Sequence, residues 1–287
     1  EKASKLFATV YSHKISPGTI VNVVNVLASR LHAVEDEIKD LLRQSTVAHA
    51  DETSLRICGS KQWLHTVGTE KSTHYALHPN RGRKAIEKIN ILPEFKGIMV
   101  HDHWKAYFFY QQSTHALCNA HHLRQLKFVN EQQGLKWGGK ISDLLLEMNK
   151  NKQIYISAGK KCFSKKLLKS YNNRYDEILN KAQREQARRS TIDSHNLFKG
   201  LKQYKDSVLL FINNFEVPFT NNLSERDIRM SKIKQKISGC FRSQLGGDNF
   251  CRIRGTISTA KKNMKNVFYI PQEAFVNILS VDDLLVN

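Results

Sequence analysis

From residue 20 to residue 42 the apolar positions recur in steps of three and four: Ile20, Val23, Val24, Leu27, Leu31, Val34, Ile38, Leu41 and Leu42. That period lays them along one face of a helix. It predicts a helix over 19–44 with Thr19 as its N-cap. A shorter helical pattern at 3–12 precedes it, across the breaker Ser16-Pro17-Gly18. Two helices joined by a tight turn have the outline of a DNA-reading helix-turn-helix. The second carries Glu35, Asp36, Glu37 and Asp40, which phosphate repels, so the two are read as a packing pair.

At Val47 the period changes. Val47-Ala48-His49-Ala50-Asp51 reads as a short strand ending on a carboxylate. Leu55–Cys58 and Lys61–Val67 then flank Gly59-Ser60, a two-residue hairpin signal. A further strand at 73–77 completes a three-strand meander. A helix over 81–90 leads to Ile98-Met99-Val100, a short apolar run bounded by Gly97 and a polar cluster, which predicts a buried strand with Asp102 just past its end. A helix near 104–112 and a short strand at 115–118 follow. Three antiparallel strands and two helix–strand units predict an α/β fold, a mixed sheet flanked by helices.

Residues 120–212 carry no strand signal and keep helical spacing, which predicts a large all-helical insertion. After a loop ending in Thr220-Asn221-Asn222, a helix over 223–237 has an apolar stripe at Leu223, Met230, Ile233 and Ile237. A charged stripe, Glu225, Arg229, Lys232 and Lys236, follows the same spacing on another face. A last strong helix, 247–263, is expected to turn Phe250, Ile253, Ile257 and Ala260 inward and to leave Arg252, Arg254, Lys261 and Lys262 outside.

Charge changes this picture most. The 287 residues hold 45 Lys and Arg against 26 Asp and Glu, a formal +19, which points to a polyanionic partner. Residues 123–205 alone carry +12, more than solubility requires, so the helical block is read as a basic arm. No apolar run is long enough for a membrane span. Five irregularly spaced cysteines argue for reduced thiols and an intracellular protein rather than a disulfide framework.

Three acidic residues stand out by position: Asp51 and Asp102 at strand ends, and Glu225 in the first turn of a late helix. If the two strands pair in parallel, their carboxylates lie side by side, which is costly without cations. Mg²⁺ removes that cost, because it favours carboxylate and phosphate oxygens. Two such ions can clamp the attacking and leaving oxygens of phosphoryl transfer. The bland alternatives are concrete. Asp102 is a good helix N-cap, and Asn222-Leu223-Ser224-Glu225 fits a capping box with Glu225 at the third helical position.

Five ordered strings resemble the insertion-sequence-66 family of bacterial transposases: His49–Thr53, Val100–Trp104, Cys118–Arg124, Thr220–Arg226 and Lys234–Ser243. The resemblance implies a ribonuclease-H-like catalytic domain with the triad Asp51, Asp102 and Glu225, and two Mg²⁺ or Mn²⁺ ions. It implies double-stranded DNA as partner, both element ends and target. It further implies a homo-oligomer on DNA, accessory proteins of the same element, and a cytoplasmic, nucleoid-associated location in a bacterium, with no membrane. Cys118, His121 and Asn222 map as active-site support. Arg226, Arg229, Lys232, Lys236 and Arg242 are candidates for DNA contacts. Cys118 and His121 also admit zinc, but structural zinc needs four ligands and no second pair has matching spacing; the reading is against it. Family members carry an upstream zinc-ribbon-like or coiled DNA-binding segment, of which these residues show no sign. The expected organisation is a helical segment at 1–45, a catalytic core at 46–122 and 213–270, the insertion at 123–212, and a helix or tail at 271–287. The expected activity is cleavage at element ends and strand transfer. The alternatives are a silent DNA-binding derivative and a nuclease that cuts without joining.

Overall fold

The computed structural model describes residues 2–189 and 191–285. In chain order its elements are α1 (Lys2–Tyr11), α2 (Pro17–Arg30), α3 (His32–Gln44), β1 (Val47–Ile57), β2 (Ser60–Gly68), β3 (Thr73–His78), α4 (Arg83–Ile89), β4 (Ile98–His101) and β5 (Thr114–Leu117). Helices α5 (Asn119–Gln133), α6 (Lys136–Ser157), α7 (Lys165–Arg189), α8 (Ile192–Gln203), α9 (Lys205–Asn213), α10 (Asn222–Ser238), α11 (Gln244–Lys262) and α12 (Tyr269–Val276) follow. The chain is α/β, as expected. Its contacts divide it into two units, Glu1–Phe95 with Leu223–Asn287, and Lys96–Asn222.

In the first unit the long helix predicted over 19–44 is two helices, interrupted at Leu31 (φ −86°, ψ 8°). Its cap is Ser16, not Thr19: the Ser16 hydroxyl accepts the Thr19 N–H, and Pro17 occupies the first helical position, where its missing N–H is harmless. The break turns α3 so that Val34, Ile38 and Leu42 are buried, while α1 buries none of its residues.

Strands β1, β2 and β3 form the expected antiparallel meander, with register His49↔Gly68 through Ile57↔Ser60 on one side and Trp63↔His78 through Gly68↔Thr73 on the other. The tight turn is Cys58-Gly59, one residue earlier than predicted, with φ of 49° and 78°. Two left-handed residues are what a hairpin twisted like its strands requires, and glycine adopts them without steric cost. Strand β1 is continuous through Asp51, which pairs opposite Thr66 in mid-strand. The expected strand end at Asp51 is therefore corrected: Glu52 and Thr53 continue the ladder instead of turning.

Helix α11 lies on β3 with a face of small residues, which corrects the predicted orientation. Gly247, Cys251, Gly255, Ser258 and Thr259 are buried together with the expected Ala260, while Phe250, Ile253 and Ile257 are only half-buried. The reason is close approach. A Cβ on Gly247 would lie 2.6 Å from Leu77 Cδ1, so larger side chains have no room on that line. Arg252 and Lys262, expected outside, both turn inward to carboxylates. Arg252 Nε donates to Glu35 at 2.6 Å, and Glu35 also meets His74 Nε2 at 3.2 Å. Burial pushes the Glu35 carboxyl up, but hydrogen bonds and charge from His74 and Arg252 outweigh it and hold it down at about 2. This group ties α3, β3 and α11 together.

In the second unit β4 and β5 pair in parallel, Ile98↔Thr114 through His101↔Leu117. The helix predicted near 104–112 is a single 3-10 turn, Tyr107–Phe109. The segment is held instead by aromatic packing, with Trp104 edge-on to Tyr107 and His101 tilted against it. The all-helical block follows as α5 to α9. Its core is read directly from spacing: Leu126 and Val129, then Ile141, Leu144, Leu145 and Met148, then Tyr171, Tyr175, Leu179 and Ala182 are buried. Lys152 breaks the pattern of a solvated lysine face. It is 2% exposed, and its ammonium donates to Val217 O at 2.6 Å beside the Phe215 ring. Among the described residues no helix is long and apolar enough to cross a membrane.

Candidate active site

Asp102 directly follows β4, at the C-terminal end of a parallel pair, where open α/β sheets collect ligands. Its Oδ1 accepts the Trp104 N–H at 2.9 Å. This is an Asx-type turn, not a helix cap, since no α-helix follows. One oxygen held by backbone orients the other. The neighbouring strand ends in the same way: Cys118 N–H donates to His101 O at 2.9 Å, so Asp102 and Cys118 leave the strand pair side by side. Cys118 is buried, and its Sγ accepts the Asn221 N–H at 3.1 Å. Asn119 N–H takes Phe219 O at 3.0 Å, and its amide donates to Val208 O at 3.1 Å. These bonds hold the loop that runs into α10 against the end of β5. Lys152 grips the same loop at Val217. Cys118 and His121 offer ligand atoms within 4.8 Å of each other.

Behind Asp102 stand two histidine pairs, His101 with His115 and His103 with His122. His101 Nε2 and His115 Nδ1 share a hydrogen bond of 2.9 Å, and His115 Nε2 meets Tyr110 O at 3.2 Å. Burial, with His115 alongside, pushes His101 down to about 3. His122 is likewise pushed to about 3 by burial and by its histidine neighbours, and bonds Asn119 Oδ1 and His103 Nδ1. Neutral rings of this kind fix backbone and side chains around a carboxylate without bringing in charge. The spacing His101…His115 gives no period that reveals them, because the pairing depends on strand register.

Asp51, in β1, lies in the first unit with its Oδ1 accepting the Glu52 N–H at 2.8 Å. Glu225 is the fourth residue of α10, since the helix begins at Asn222. That is one place later than a capping box requires. Asp227, two residues on, is engaged structurally. Its Oδ2 accepts from Lys262 Nζ at 2.7 Å and Thr73 Oγ1 at 3.0 Å, and its carbonyl accepts the Tyr75 hydroxyl at 2.9 Å.

Residues 1–249 match the family model described as Transposase IS66 family. The chain belongs to the transposase IS66 family. No curated protein matches it. Membership carries transposase activity in general and DNA as partner, and it gives the +19 charge a physical meaning. On this IS66-family chain the predicted DNA-contact residues Arg226, Arg229, Lys232, Lys236 and Arg242 are all exposed. Lys232 is also committed to the fold, donating to Ser54 O at 2.8 Å. The apolar stripe expected on α10 is corrected: Leu223, Ile228 and Ser231 are buried, while Met230, Ile233 and Ile237 are 40–60% exposed.

Proposed function

We propose that this chain is the catalytic core of a DDE transposase, a ribonuclease-H-like domain that cleaves the ends of a mobile element and joins them to target DNA. Asp51, Asp102 and Glu225 are its three carboxylates. The observation that carries the reading is Asp102: an oriented, half-exposed carboxylate at the C-terminal end of a parallel strand pair, in a chain of this family. Helices α5 to α9 are the insertion between the second and third carboxylates.

The donor chemistry fits hard divalent ions. All three groups are half-exposed oxygen donors, the ligands that Mg²⁺ and Mn²⁺ prefer. The soft donors grouped nearby among the described residues are Cys118 and His121, two fewer than a structural zinc site needs. Asp51, Asp102 and Glu225 would hold two ions, which supply positive charge at the scissile phosphate and at both reacting oxygens. The chain's own work is positioning. The Trp104 N–H sets the direction of Asp102. Cys118 and Asn119 fix the loop four residues ahead of Glu225. Arg226 and Arg229, exposed on α10, hold the phosphate backbone. A homo-oligomer on DNA and accessory proteins of the element complete the proposed reaction, in the cytoplasm at the nucleoid.

The test is Mg²⁺-dependent cleavage and strand transfer on the element's terminal sequence. Cleavage followed by joining is expected. No cleavage by the folded chain overturns the reading, and cleavage without joining reduces it to a nuclease.

A further inference from the structure

Helices α5 and α8 enclose a cavity of ≈ 730 Å³ within the second unit. Its charged lining is Lys105, Arg124 and Lys199 against a single carboxylate, Asp193. None of the three cations enters an ion pair among the described residues. Phe128, on the same face of α5 as Arg124, is 48% exposed, and no ring of the described residues packs on it. Three amide side chains (Gln125, Asn196, Gln203) line the same space. Each offers both a donor and an acceptor.

The floor is built rather than incidental. His103 lies edge-on to Tyr204 with centroids 4.7 Å apart, and Tyr204 stacks on Phe108 at 4.4 Å. Gly200 of α8 comes so close that a Cβ there would lie 2.8 Å from His103 Cε1. The absence of a side chain at 200 lets α8 close on the ring, and the rest of the lining then opens outward.

Cations for phosphate, an open aromatic face and amides for a base edge are the complement of one nucleotide. The cavity's size suits a ligand of that class. In a duplex both faces of a base are already stacked, which leaves no use for Phe128. A phosphate alone would leave both the ring and the amides without a role. We infer that the pocket between α5 and α8 takes an unpaired nucleotide of the DNA strand, with its base on Phe128 and its phosphate on Arg124, Lys105 and Lys199. The inference rests on DNA as the substrate and deepens that reading. His103, in the pocket wall, is the residue after Asp102, so a strand held at Asp102 passes this opening.

The experiment uses the full chain in EDTA, which separates binding from the carboxylate chemistry. Fluorescence anisotropy compares a blunt duplex with the same duplex carrying an unpaired overhang. The native chain is expected to prefer the overhang about tenfold, since base–aromatic stacking is sequence-tolerant and strong. Phe128→Ala, at an exposed position, should remove that preference and leave duplex affinity unchanged. Arg124→Gln should lower overhang affinity more than duplex affinity. Equal affinity of the native chain for both DNAs overturns the proposal, as does an undiminished preference in folded Phe128→Ala. A nucleoside monophosphate at the overhang's own concentration should fail to displace it; displacement would make the pocket a free-nucleotide site and overturn the strand assignment. Failure of the catalytic reading would show separately, as an Asp102→Asn chain that still cuts with Mg²⁺.

Discussion

Replacing Asp227 by Asn removes the negative charge that faces the ammonium of Lys262 at 2.7 Å, with side-chain exposures of only 12% and 17%. Breaking a buried pair by removing one partner costs about 3–5 kcal/mol. Asn keeps an acceptor for Thr73, and Lys262 keeps the carbonyl of Thr69 at 2.8 Å, so the expected loss is smaller, about 2–4 kcal/mol. Glu225→Gln touches a half-exposed first-turn carboxylate, where the helix dipole is worth about 0.3–1 kcal/mol. The two substitutions thus separate stability from chemistry. Urea unfolding should show Asp227→Asn strongly destabilised and Glu225→Gln within about 1 kcal/mol of native. Cleavage at low temperature, with both proteins folded, should survive the first and vanish in the second. A double-mutant cycle of Asp227→Asn with Lys262→Met should return a coupling of about 1–3 kcal/mol. An Asp227→Asn chain as stable as native, or an active Glu225→Gln chain, would refute the assignment of these roles.

Asp102→Asn should abolish Mg²⁺-dependent cleavage and leave DNA affinity equal or slightly raised, measured by anisotropy beside a cleavage assay. Changing the exposed Lys160, Lys161, Lys165, Lys166 and Lys169 to Gln should flatten the fall of log affinity with log salt, by roughly 0.9 for each phosphate no longer neutralised. Deleting 150–190 would be a poorer test, because it removes the buried Tyr171 and Tyr175 of α7. Glu35 has its carboxyl held down at about 2. Its stabilisation is complete above the unfolded pKa and is lost as pH falls through that value to about 2, so acid unfolding followed by circular dichroism should shift to higher pH in Arg252→Met. Burial lowers the Lys152 ammonium to about 8. The unfolded chain then binds the extra proton between pH 8 and the ordinary lysine value, so stability contributed at this site rises with pH across that window. Lys152→Met should lose that rise in urea titrations at pH 8 and pH 10.

The local code of this chain carried its elements and its nucleic-acid partner. Three-to-four spacing marked the helical block, because that period is a property of the backbone itself; turn signals marked the meander, and a continuous apolar run marked the short strand before Asp102. Charge pointed to a polyanionic partner, because a formal +19 acts at long range whatever the fold. Five motifs in order marked the family. Where the prediction failed, the deciding neighbour was distant in sequence. The inward face of α11 is small rather than apolar because β3 lies against it, so the hydrophobic stripe yields to close approach. Asp51 sits in mid-strand because β2 continues the ladder past it. Lys152 and Lys262 looked like solvated lysines in basic stretches until a loop carbonyl and Asp227 enclosed them. Helical spacing alone does not say which of Asp227 and Glu225 the fold uses, although the Thr220–Arg226 motif points to Glu225 for chemistry. Lys262 and Thr73 distinguish them by claiming one for the fold, and only tertiary structure can bring an ion pair together across 35 residues.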